Sequence, residues 1–222
     1  MTNENQTFET NPVLTKDFAC EMQLYRAAIK EITTKLEILD DDFHVRYDYN
    51  PIHHIESRLK SPKSIMGKLQ SRNLDITTDN IRNNLRDVAG VRVICNYLHD
   101  VNRIADMLTS QDDIVLISKK DYISNPKPNG YRSLHIIVAI PIFLSGETVS
   151  VCCEIQIRTI AMDLWASLEH HLRYKTDINT PEELSERLQI CADALSEIDW
   201  ELQDIYTDIH KLKTAAEPNN ME

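Results

Sequence analysis

The chain has 222 residues, 42% of them hydrophobic, and a formal net charge of −11. That length and content suit one α/β domain with helical extensions, and no apolar run approaches the roughly 18 residues a membrane helix needs. Residues 177–222 hold 12 acidic and 3 basic residues, so most of the negative charge is C-terminal; such a chain is poorly suited to general nucleic-acid or anionic-membrane binding, yet can grip a small polyanion locally.

Met1 to Pro12 is polar and acidic with no signal-peptide core, which predicts a disordered N-terminus over 1–15 and a cytoplasmic protein. Phe18, Met22, Tyr25, Ile29, Ile32, Leu36 and Leu39 then recur at alternating four- and three-residue spacings, the pattern of a long helix with a heptad-like seam. Residues 51–72 read as a further helix, broken near Pro62. Within it, Ser57 to Asn73 contains Arg58, Lys60, Lys63, Lys68 and Arg72 and no Asp or Glu. Most basic runs are solvated faces, but in an acidic protein an acid-free one is better explained as an anion site.

A short buried strand over 88–96 follows, entered through Asp87, with Gly90 permitting close backbone approach. A helix over 99–110 and a strand over 113–123 lead to Pro128-Asn-Gly-Tyr-Arg-Ser-Leu-His135. Here a Pro-Asn-Gly turn empties into a strand over 131–143, and alternation puts Tyr131, Ser133 and His135 on one face. An aromatic plate, a hydroxyl and an imidazole in a row suit a base and its phosphates; a hairpin strand with a half-buried Tyr would look the same. After a turn at Ser145-Gly146, a strand over 147–158 contains Cys152-Cys-Glu-Ile-Gln-Ile-Arg-Thr159. Its Glu154, Gln156 and Arg158 share a face, and the strand runs straight into a helix over 160–174, where ligand crevices form in α/β sheets. Asp87 and Glu154 together offer carboxylate oxygens for a magnesium ion.

Pro181-Glu-Glu is a helix start. A second seam follows: Leu184, Leu188, Cys191, Leu195, Ile198, Leu202, Ile205, Ile209 and Leu212. The five cysteines are odd in number and lack zinc spacing, so they read as reduced thiols. His53-His54 and His170-His171 have no companion ligands at metal-site spacing. The fold class is α/β (α+β): a mixed sheet of about four or five strands flanked by helices.

Five stretches in order resemble the synthetase domain of the RelA/SpoT-homologue family, most closely its stand-alone small alarmone synthetases. They are Arg58-Leu-Lys60-Ser-Pro-Lys63-Ser64 through Lys68, Asp87-Val-Ala-Gly90-Val-Arg92, Pro128 to His135, Glu154-Ile-Gln-Ile-Arg-Thr159, and Trp165-Ala-Ser-Leu-Glu169-His170 with Tyr174-Lys175. The resemblance implies a nucleotidyltransferase-like fold and a GTP pyrophosphokinase. The 3′-hydroxyl of GTP or GDP would attack the β-phosphorus of ATP, giving pppGpp or ppGpp plus AMP in the stringent response.

By motif, Arg58 and Arg92 would sandwich the ATP adenine, while Lys60, Ser64, Lys68 and Arg72 would cradle its phosphates. Asp87 and Glu154 would hold Mg2+, with Glu154 also the general base and Gln156 orienting the reacting groups. Tyr131 would stack on guanine, so Tyr131→Phe is expected to be mild. Lys127 and His135 would contact the acceptor phosphates, and Asp163 would lie near the guanine.

The resemblance further implies a homotetramer held by its terminal helices. The expected domains are a disordered N-terminus over 1–15, a synthetase domain with its N-terminal helix over 16–176, a C-terminal helical extension over 177–213 and a disordered tail over 214–222. The family's hydrolase and ribosome-sensing domains do not fit within this length, so the chain is expected to make alarmone without degrading it. Two other readings compete. One is pyrophosphoryl transfer to another acceptor such as the tRNA 3′ end, which the acidic C-terminal helix opposes. The other is a non-catalytic nucleotide- or RNA-binding regulator, which the intact Asp87, Glu154, Gln156 and His135 oppose.

Overall fold

Five strands form one mixed sheet in the order β1-β2-β5-β4-β3, and the computed structural model describes residues 12–175 and 182–216 around it. The strands are β1 (Ile52–Leu59), β2 (Ala89–Cys95), β3 (Val115–Asp121), β4 (Leu134–Phe143) and β5 (Thr148–Thr159). The helices are α1 (Pro12–Tyr47), α2 (Pro62–Gln70), α3 (Thr78–Asn84), α4 (Leu98–Thr109), α5 (Ile160–Lys175) and α6 (Glu182–Ala216). The central pair, β2 and β5, is parallel; β1 joins β2, and β4 joins both β5 and β3, in antiparallel register.

Strict alternation in β2, β4 and β5 builds the molecule. Val91, Val93, Leu134, Ile136, Val138, Cys153, Ile155 and Ile157 are buried on one face, where α1 and α4 cover them. The opposite face carries the polar residues of the same strands. In α1 the seam turns inward: Met22, Tyr25, Ile29, Ile32 and Leu36 are buried, with Phe18 and Leu39 packed against them. This seam is therefore the domain's own core and not a subunit surface.

Several expected boundaries move. Residues 52–59 form a strand, not the first turns of a helix over 51–72. β1 is an edge strand with a register shift between Ile52 and His54, and Ile52 is its one buried residue, so the alternation that marks a strand is missing. Helix α2 starts only at Pro62, with the Ser61 hydroxyl accepting from the Ser64 amide. The short α3, capped by Thr77, carries too few turns to show a period. β4 begins at Leu134, three residues later than expected. α1 already includes residues 12–15 and α6 extends to Ala216, so those parts of the expected disordered termini are helical. The remaining terminal residues, the Pro181 helix start and the side chains of Tyr174 and Lys175 lie outside what is described.

Helix α6 docks through part of its heptad seam together with residues beside it. Leu188, Ala192 and Leu195 pack with Trp165 and Tyr131, and further along Asp199 and Gln203 reach the domain. Asp199 Oδ2 accepts from the Thr159 hydroxyl at 2.5 Å, and that hydroxyl in turn accepts from the Met162 amide at the start of α5. By contrast Ile198, Leu202, Ile205, Ile209 and Leu212 face solvent.

Candidate active site

The polar sheet face gathers residues from four strands. Directly paired residues share a face, so the ladder pairs Arg58 with Gly90, Glu56 with Arg92, Arg92 with Gln156, Gly90 with Glu154 and His135 with Gln156 bring all of them to one side. Arg58, Lys60, Asp87, Gly90, Arg92, Glu154 and Gln156 line one open cleft, joined by Glu56. Arg58 and Arg92 stand diagonally across the β1–β2 ladder. Diagonal neighbours are about 7–8 Å apart, close to two ring-stacking gaps, which suits a flat base held between two guanidinium planes.

Asp87 sits just before β2 at the floor of this cleft. Its Oδ2 accepts from Lys60 Nζ at 2.6 Å and from Lys68 Nζ at 2.7 Å. Burial pushes the Asp87 carboxyl upward, but the two lysines outweigh it and hold the group below the usual carboxylate range. Its Oδ1 is buried and accepts no hydrogen bond among the described residues. Glu154 is also held low, first by His135, against burial and the charge of Asp87, with help from Gln156. His135 Nδ1 faces Glu154 Oε1 at 3.5 Å, and Gln156 Nε2 donates to Glu154 Oε2 at 3.3 Å. Two ionised carboxylates, one of them with a buried oxygen that its two lysines leave unpartnered, form a hard oxygen-donor set, which fits a magnesium ion whose other ligands come from phosphates and water.

The four residues expected to cradle phosphates are only partly brought together. Lys60 and Lys68 meet on Asp87. Ser64 lies one turn before Lys68 on α2, its hydroxyl 2.9 Å from that of Ser61. Arg72, beyond the end of α2, donates to the Asn84 carbonyl.

On the acceptor side, the loop before β4 is shaped by Gly130, whose φ of +88° is a glycine conformation and whose missing Cβ would fall 2.6 Å from Ala192 Cβ. The Gly130 amide closes onto the Lys127 carbonyl at 2.8 Å. Arg132 ties the loop to α6 through the Ala192 carbonyl and Asp193. Tyr131 therefore sits beside β4 and β5, with Lys127 Nζ 4.6 Å from its ring centroid. Its hydroxyl lies 2.8 Å from His135 Nε2. Ser133 is fully buried and donates to the Ile157 carbonyl, so it belongs to the scaffold and not to a substrate-facing row.

Two residues gain roles that sequence reasoning missed. Arg158 is 4% exposed; its guanidinium donates to Asp163 at 2.9 Å, the Tyr131 hydroxyl at 2.6 Å, Gln156 at 3.0 Å and Ser133 at 3.4 Å. Glu56 accepts from Arg92 at 3.0 Å, and was hidden by reading β1 as helix. Asp163 is occupied between two guanidinium groups, Arg158 at 2.9 Å and Arg92 at 3.5 Å. It thereby links Arg92, which lines the cleft, to Arg158, which bonds the Tyr131 hydroxyl.

Residues 57–179 match the family model described as the region found in RelA and SpoT proteins. Among curated proteins, the chain is 38% identical over 194 residues to GTP pyrophosphokinase YwaC of Bacillus subtilis, covering 87% of this chain and 92% of that protein. The crystal structure of small alarmone synthetase 2 from Bacillus subtilis superposes with a TM-score of 0.79 at 37% identity, covering 86% of this chain and 99% of that one. Small alarmone synthetase 1 from the same organism, bound to its product pppGpp, superposes with a TM-score of 0.75 at 34% identity, over 83% and 94% of the two chains.

Proposed function

The chain belongs to the RelA/SpoT family, and from that premise we infer that it is a GTP pyrophosphokinase of the small alarmone synthetase type. It transfers the β,γ-diphosphate of ATP to the 3′-hydroxyl of GTP or GDP, forming pppGpp or ppGpp and releasing AMP. The observation that carries this reading is the polar sheet face itself, where a cation-lined cleft and an aromatic plate flank one low-pKa carboxylate, Glu154.

The donor enters between Arg58 and Arg92, which stack on its adenine. Lys60 and Lys68 draw its phosphates toward Asp87, with Ser64 one turn before Lys68 on α2 and Arg72 just beyond the end of that helix. The acceptor guanine lies on Tyr131, Lys127 meets its phosphates, and His135 stands between the Tyr131 hydroxyl and Glu154 and not at the phosphates. Glu154, ionised at neutral pH, takes the proton of the 3′-hydroxyl as its oxygen bonds to the β-phosphorus and the bond to the α-phosphate oxygen breaks. Gln156 holds the Glu154 carboxylate in place, and the lysines meet the negative charge that gathers on the departing AMP. Asp87 and Glu154 would hold Mg2+, which would neutralise phosphate charge and ease ionisation of the hydroxyl. Asp163 acts here by fixing Arg92 and Arg158.

No helix among the described residues is long and apolar enough to cross a membrane. Five cysteines without a disulfide, together with substrates that are cytoplasmic nucleotides, support a cytoplasmic site of action. The assembly is a homotetramer built on the solvent-facing stripe of α6.

The test is direct. Protein is incubated with magnesium and ATP labelled at the γ-phosphate, with GTP, GDP or tRNA in turn as acceptor. Label in pppGpp and ppGpp is the expected result; label on tRNA alone, or none, removes the reading.

A further inference from the structure

Stacking needs only the ring of Tyr131, yet its hydroxyl has two partners of its own, Arg158 and His135. Arginine has no acceptor, so Arg158 Nη2 at 2.6 Å must donate into the phenol oxygen. That leaves the phenol's own proton to point elsewhere, and His135 Nε2 stands 2.8 Å away. If Nε2 takes that proton, the neutral imidazole carries its hydrogen on Nδ1. The other side of the ring demands the same assignment, because Nδ1 faces the Glu154 carboxylate at 3.5 Å. Two independent neighbours thus select one tautomer.

Building on the synthetase reading, we propose that Arg158 and the Tyr131 hydroxyl are positioning groups in a relay, Arg158 to Tyr131 to His135 to Glu154. The relay fixes the His135 tautomer and holds the base's carboxylate toward the acceptor 3′-hydroxyl. The burial of Arg158 gives the relay a fixed origin. At 4% exposure it cannot turn to water, and Asp163 supplies the counter-charge that a buried guanidinium requires. The same guanidinium also donates to Gln156, whose amide donates to the other Glu154 oxygen. Both oxygens of the base are therefore reached from Arg158, one through the tyrosine and imidazole and the other through the amide. This makes the acceptor's stacking platform part of the machinery that aims the base, so an acceptor seated on Tyr131 meets a carboxylate already in register.

The relay is tested by Tyr131→Phe, which keeps the stacking ring and removes only the link. Steady-state kinetics with GTP should give an acceptor KM within about twofold of wild type and a kcat lower by about tenfold or more, as expected when a reacting group is misplaced. Arg158→Lys, which keeps charge but loses the fork, should lower kcat in the same sense. The double variant should be no slower than the slower single one, because both changes cut one chain. Thermal melts report whether Arg158→Lys folds; if it does not, Tyr131→Phe decides alone. A wild-type kcat in Tyr131→Phe overturns the relay, as does a raised KM at unchanged kcat, which would make the hydroxyl a direct substrate contact. Additive losses in the double variant also overturn it. A wild-type protein that forms no alarmone would instead overturn the functional reading and the relay with it.

Discussion

Glu154 is surrounded by groups that keep it charged, and a near-isosteric change isolates what that charge does. In Glu154→Gln the amide can still take the hydrogen bond from Gln156, so the sheet face stays intact. Product formation should be abolished while the melting temperature and the affinity for a non-hydrolysable ATP analogue stay near wild type. An active Glu154→Gln enzyme would remove the base and the metal ligand together. Tyr131→Ala asks a different question of the same face. It removes the plate on which guanine lies, costing guanine nucleotides about 1–3 kcal/mol, as for other base–aromatic stacks, with ATP affinity barely changed. Isothermal titration of the two nucleotides separates the effects, and equal losses would point to a folding role. The milder Tyr131→Phe, harmless if only the ring mattered, becomes informative because the hydroxyl is bonded to Arg158 and His135.

At the scale of elements, the sequence was most readable where side chains alternate between two buried environments and least readable at edges. β2, β4 and β5 carry Val, Ile and Cys on one face and Glu154, Gln156 and Arg92 on the other, so both sheet and site could be seen in the order of residues. β1 packs along one edge, its pattern is irregular, and a basic run continues past it, so its Glu56 was invisible. Arg158 looked like one more polar residue on a strand face, because periodicity gives a side but not a depth. The division of labour along α6 was equally hidden, since one unbroken seam docks at Leu188 and Leu195 and meets solvent from Ile198 onward, and periodicity gives no sign of the change. The docking face has its own electrostatic signature. Burial lifts the Asp199 carboxyl above its usual range, against the Thr159 hydrogen bond and the charge of Arg132. The folded state therefore holds that proton more tightly than the unfolded chain. Its contribution is most favourable below the ordinary carboxylate value and is lost as pH rises through the raised one. Asp199→Asn is neutral throughout, so the melting temperature of wild type relative to Asp199→Asn should fall as pH rises across that window and then level off. A difference that stays constant with pH would show that Asp199 does not titrate there.

For the molecule as a whole, the apolar surface left over after folding is the decisive quantity. Ile198, Leu202, Ile205 and Ile209 are each 46–50% exposed and Leu212 is 71% exposed, all on α6. On α5, Leu164, Leu168 and Leu172 follow at four-residue spacing with 50–55% exposure. Scattered exposed leucines are ordinary, but an apolar stripe along each of two helices that pack together is the kind of surface that marks an interaction site. The α1 seam cannot serve, because its residues are already core. A tetramer should thus form through α6 and α5, leaving Glu186, Asp193, Glu197 and Asp204 at the margins. Light scattering or native mass spectrometry at micromolar concentration should give about four times the chain mass of 25.7 kDa. Ile198→Asp with Ile205→Asp should lower that mass without unfolding the chain, since both side chains already meet solvent in a single protomer and a charge there is buried only by association. A wild-type mass of 25.7 kDa would leave the stripe without a partner of its own kind. A double variant that unfolds would place these residues in the protomer's core, contrary to their exposure.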